Sequence, residues 1–183
     1  MDWYLIVKFL HVGSAVIWVG GAFIMVVLGA RADRSRNDAE IAGIVLQVAW
    51  AAERIYVPAS TATLVFGLIL ATLGSLWSNL WVILGLVGVA TTVALGIAVL
   101  TPMAKKVEAG FKTGGATQDV VVTCRELLTL AKFDLVLLFT VIADMVLKPE
   151  ASDWPILLAM VLVLVAAAAL WLTPALRKSR MAA

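Results

Sequence analysis

Residues 3–30, WYLIVKFLHVGSAVIWVGGAFIMVVLGA, run for twenty-eight positions with only two ionisable side chains, Lys8 and His11. Bilayer hydrocarbon is ~30 Å thick and is crossed by ~20 helical residues, so the segment can span with some tilt. Lipid offers no partner to a backbone N–H or C=O, which makes a helix the form such a run must take. His11 is the single histidine of the chain. An ionisable side chain at mid-bilayer costs ~2.5–3.5 kcal/mol unless it finds a partner or water. Lys8, His11, Ala15, Trp18, Ala22 and Met25 follow at three- and four-residue steps and share one helical face, the first candidate site.

The other segments repeat the pattern. Hydrophobic residues make up 63% of 183 residues and mean hydropathy is +1.04, far above the ~45–50% of soluble domains. The expected fold is an all-α membrane protein, a five-helix bundle forming one domain over 1–183. Its spans are expected at about 3–30, 59–76, 81–100, 127–147 and 154–173. Between the first and second, Asp38 is placed to cap a helix. IAGIVLQVAWAAERIY then reads as an amphipathic run along the inner surface, with Pro58 at the junction. Pro102 is expected to help end the third span, and residues 103–120, with Gly114-Gly115, to form a linker. MDWYLIVK has no basic leader or small-residue cleavage site, so the first run reads as a retained span.

Charge gives orientation. Arg31, Arg34, Arg36 and Arg54, then Lys105, Lys106, Lys112 and Arg125, then Arg177, Lys178 and Arg180 fall on one side. Lys148 stands opposite, beside Asp2, Glu150 and Asp153. The positive-inside rule then predicts an outer N-terminus and a cytoplasmic C-terminus. Trp3, Trp77, Trp81 and Trp154 fall at the predicted outer interface, Trp50 and Trp171 near the inner one, and Trp18 at mid-membrane beside His11. With net charge +2 and the basic residues in loops, nucleic acid is excluded as a partner. The one cysteine, Cys124, allows neither an intrachain disulfide nor a thiol metal site from this chain alone.

Two small-residue faces suggest close packing. Ser60, Thr63, Gly67, Ala71 and Gly74 line the second span; Gly85, Gly88, Thr92 and Gly96 line the third. They are expected to bind neighbouring helices, a second copy or a partner membrane protein. The fourth span carries Lys132, Asp134 and Asp144, and antiparallel topology sets Asp144 at the depth of Lys8 and His11. Pairing between them would offset the cost of burial, so the first and fourth spans are predicted neighbours. Neutral imidazole ligates metals and haem iron, which makes His11 the candidate ligand, with Lys8, Trp18 and Asp144 around it. A lone histidine excludes bis-histidine ligation within one chain. Copper is the other candidate, for which the outer half offers His11, Met145 and Met160.

Lys8-Phe-Leu-His11, followed by Trp18-Val-Gly20-Gly21, resembles the first-helix signature of a broad group of small bacterial membrane proteins. That group includes the CopD-like copper-resistance domain and, more distantly, the HemJ-type protoporphyrinogen oxidase. The stretch from Lys132-Phe-Asp to Asp144-Met-Val-Leu-Lys148-Pro149 is similar to the fourth helix of a related family of predicted integral membrane proteins. The resemblance implies a bacterial plasma membrane protein with His11 a haem b ligand, and offers Lys132 as the matching lysine. It also implies a copper or small-solute permease as the alternative activity. A non-catalytic accessory subunit of a membrane complex is the third expectation.

Overall fold

The computed structural model describes residues 2–35 and 37–172, and every element among them is helical. These are α1 (Trp3–Ser35), α2 (Asp38–Ala51), α3 (Val57–Leu73), α4 (Leu80–Leu95), α5 (Thr101–Gly114), α6 (Gln118–Leu147) and α7 (Trp154–Ala167). The basic tail residues Arg177, Lys178 and Arg180, with Arg36 and Thr173, lie outside the described residues.

The helices are longer than the spans expected from hydropathy. α2 and α3 are one continuous rod, Asp38–Leu73, and α4 and α5 another, Leu80–Gly114. Both join through a π-helical turn, Ala52–Tyr56 in the first and Gly96–Leu100 in the second. Each turn is followed two residues later by a proline, Pro58 or Pro102. In a regular α-helix a proline ring collides with the carbonyl four residues back. The wider turn relieves this: Val57 N–H donates to Ala52 O and Thr101 N–H to Gly96 O, one residue farther back than usual. Pro102 therefore does not end its helix, and the expected linker 103–120 shrinks to Gly115–Thr117, entered through Gly115 at φ 70°. The expected surface run before the second span is likewise the first half of a rod. Its cap is Asn37, whose side chain accepts from Glu40 N–H, with Asp38 already inside the first turn.

Rods of ~35 residues are ~50 Å long and exceed the hydrocarbon thickness by ~20 Å. The connections put Trp3, Trp77, Trp81 and Trp154 at one end of the bundle and Arg31, Arg34, Lys105, Lys106, Lys112 and Arg125 towards the other, with Arg54 midway along its rod. At this basic end the end of α1, α2, α5 and the start of α6 close on an apolar core. Ala32, Ile41, Ala42, Val45, Val107, Val121, Cys124 and Leu128 are all buried there. Arg125 ties it across the top, reaching Asp33 at 2.9 Å and Asp38 at 3.3 Å. From the tryptophan end to the middle of the rods large apolar side chains point outward, Phe9 at 74% exposure and Ile97 at 70%. Water drives apolar burial and lipid does not, so the tight core sits where the rods leave the bilayer.

Four helices are long and apolar enough to cross a membrane: Trp3–Arg34, Asp38–Leu73, Leu80–Gly114 and Trp154–Leu172. α6 has the length, at 30 residues, but Lys132, Asp134 and Asp144 keep its composition from qualifying. Within the bilayer layer α3 packs on α1 and α4 packs on α6, and the two pairs meet where α1 touches α6. α3 and α4 are consecutive, yet they do not pack along each other. α7 packs chiefly on α6, the peripheral position its uninterrupted apolar sequence implies.

Candidate functional site

The small-residue face of α3 receives His11. Its ring lies close against Gly67: a Cβ there would stand 3.0 Å from His11 Cε1. Nδ1 lies 2.8 Å from the backbone carbonyl of Thr63. A carbonyl oxygen only accepts, so Nδ1 carries the hydrogen and donates it, which leaves the lone pair on Nε2. Ring position and tautomer are thus set together, by the Thr63 carbonyl and the close approach that Gly67 allows. Ten residues further on, Gly21 takes Tyr56 in the same way. Around His11, Lys8 is exposed and Trp18 half-buried.

The face of α4 receives the polar face of α6. Trp81 carries Lys148 Nζ over its ring at 5.2 Å. Gly85 meets Asp144 and Met145, with a Cβ there falling 3.4 Å from Asp144 Oδ2. Gly88 meets Val141. Thr92 donates its hydroxyl to Asp134. The helices run antiparallel, so these contacts form a ladder from the tryptophan end inward. Asp144 is 1% exposed and neither carboxyl oxygen has a hydrogen-bond partner.

The expected pairing of Asp144 with His11 or Lys8 does not form. α1 and α6 do touch, through Phe23 against Phe139 and Gly29 against Leu128. That register sets Asp144 within about two turns of His11 in depth, as expected, but its carboxyl faces α4. The same register places Lys132 near the level of Met25, about 20 Å along the axis from His11, so the two cannot ligate one metal centre. Both small-residue faces pack partly inside the chain: Thr63, Ala71, Gly85, Gly88 and Thr92 are buried, while Ser60, Gly67 and Gly96 are half-buried and Gly74 is exposed.

Metal-ligating side chains form no cluster among the described residues. Among the described residues no three histidine, cysteine, aspartate or glutamate side chains could together hold an ion. The proposed copper donors are dispersed: His11 lies on α3, Met145 on Gly85, and Met160 in a groove between α6 and α7. That groove, of about 720 Å³, is lined by Phe23, Phe139, Thr140 and Met160 among others. A second cavity of about 450 Å³ lies between α1 and the first rod, beside Gln47, Trp50 and Tyr56. Neither is lined by His11.

Rods of this length, with large apolar side chains on the outside and polar side chains along two internal seams, define a polytopic integral membrane protein. Its sequence agrees: residues 5–149 match the profile of a family described as predicted integral membrane proteins, DUF2269. The chain belongs to that family. The match carries the membrane class without extending to CopD-like or HemJ-type activity. No curated protein and no solved structure matches the chain.

Proposed function

We propose that this protein binds haem b in the membrane and serves a redox-associated role, with His11 as the axial ligand. The observation that carries this reading is the 2.8 Å contact of His11 Nδ1 with the Thr63 carbonyl. Histidines that bind metals donate their second ring N–H to a carbonyl or carboxylate, which fixes the tautomer and raises the basicity of the ligating nitrogen. Here a backbone carbonyl does this inside a membrane helix pair, and Nε2 is left as the donor. The donor set fits one iron with one protein ligand from this chain. When bound, haem supplies one-electron chemistry, and the protein's part is to hold imidazole in one orientation away from bulk water. Lys8 and Trp18 lie on the same face as His11 and belong to its surroundings; Asp144 is turned towards another helix.

In this reading α6 is the fifth crossing, since its two ends lie at opposite ends of the bundle. The basic end faces the cytoplasm of a bacterial cell and the tryptophan end faces outward. His11 then lies in the outer half of the bilayer. The test is the absorbance spectrum of protein purified in detergent from haem-replete cells. A Soret band in the wild type that is lost in His11→Ala supports the assignment; a wild type without the band removes it. Copper in stoichiometric amount with no Soret band would move the assignment to the copper or small-solute permease. Co-purification of a stable larger complex, again without the band, would favour the accessory subunit.

A further inference from the structure

Asp144 is not accounted for by the His11 site, and its surroundings are specific. The carboxyl is buried and unpartnered, and it is held against Gly85 in a seam between two membrane helices. A carboxylate in a low-dielectric interior needs a counter-charge or hydrogen-bond donors, and without either it takes up a proton. The neighbouring elements supply no counter-charge. Residues 80–95 of α4 and 154–167 of α7 contain no ionisable side chain. On α1, His11 is turned to Thr63 and Lys8 is exposed. On α6, Asp134 is engaged by Thr92, and Lys148 lies one turn on, exposed and over Trp81.

We infer that Asp144 is a proton-binding site of the α4–α6 seam, separate from the His11 centre, whose occupant is a proton on the carboxyl. Gly85 borders the site: a Cβ there would stand 3.4 Å from Asp144 Oδ2 and would displace the tip of Met145, whose Cε would lie 2.0 Å away. Lys148 marks the end of the seam nearest the surface, one helical turn from the acid. The ladder continues inward to Asp134 and Thr92, so a second oxygen pair lies ten residues deeper along the same contact.

Dicyclohexylcarbodiimide tests this, since it adds to protonated carboxyls in apolar surroundings and leaves ionised ones alone. In native membranes the expected result is a covalent adduct mapped by mass spectrometry to Asp144, forming more slowly as pH is raised. The adduct is expected to persist in His11→Ala, which separates this site from the haem reading, and to vanish in Asp144→Asn. An infrared band of a protonated carboxyl, lost in Asp144→Asn, is the second readout and needs no reagent. No adduct and no such band in the wild type would overturn the inference. Suppression of labelling by sodium at fixed pH would also overturn it, making a cation the occupant.

Discussion

At the scale of single residues, glycine determines which side chains meet. Gly67 admits the His11 ring, Gly85 admits Asp144 with Met145, and Gly88 admits Val141, whose Cγ2 would lie 2.4 Å from an added Cβ. Gly88→Val is therefore expected to part α4 from α6 and cost ~1–3 kcal/mol, read as a fall in thermal unfolding temperature in detergent. Gly96→Ala is the contrast, for a Cβ there meets nothing within 4 Å, and its stability should hold or rise. Cys124 makes a second prediction. Burial pushes its thiol up from 9.0 to about 11, so at pH 8 only about one molecule in a thousand is thiolate. Iodoacetamide should leave it unmodified until the protein unfolds. Between pH 9 and about 11 the unfolded chain gives up this proton before the folded one does, so stability should fall with rising pH there. Denaturation midpoints at a series of pH values check the sign, against Cys124→Ala, which should lose that part of the slope.

At the scale of helices, Arg125 fastens the start of α6 to the end of α1 and the start of α2. All three side chains are over a third exposed, so each pair is worth ~0.2–1 kcal/mol and is screened by salt. Arg125→Ala should destabilise by about 1 kcal/mol in dilute buffer and by less in high salt, measured by chemical denaturation in each. How far the sequence told this in advance differs from element to element. The positions of all the apolar helices were legible, because lipid demands long uninterrupted runs. Both small-residue faces were legible too, and so was the polar face of α6. Their pairing was not: charge favoured joining Asp144 to His11, whereas shape joined Asp144 to Gly85 and His11 to Gly67. Neutralising charge and filling a glycine notch are both favourable, and sequence spacing does not rank them. Residues 103–120 misled for another reason. Pro102 and two glycines read as a break, yet Met103, Ala104, Val107 and Phe111 fall at helical spacing and pack on the basic-end core. A proline ends a helix only where no π turn absorbs it.

At the scale of the whole molecule, two solvents act on one set of rods. Where the rods stand in water, Val107, Val121 and Leu128 are buried among four helices; where they stand in lipid, Phe9 and Ile97 face outward. Leu128→Ala should cost ~2–5 kcal/mol through the cavity it opens. Phe9→Ala should change unfolding in bilayers by well under 1 kcal/mol, because acyl chains occupy the space the ring leaves. Denaturant titration of both variants in one lipid composition makes the comparison. α6 touches α1, α2, α4 and α5 and carries α7 on its side. The ribosome delivers it after all four of those partners. A nascent chain stopped before residue 118 would therefore lack the side of this core that Val120, Val121, Cys124, Leu127 and Leu128 supply, leaving the contacts of α1, α2 and α5 uncovered there. Closure waits on the sixth helix to emerge, and until then the half-made product is a client for chaperones and membrane proteases.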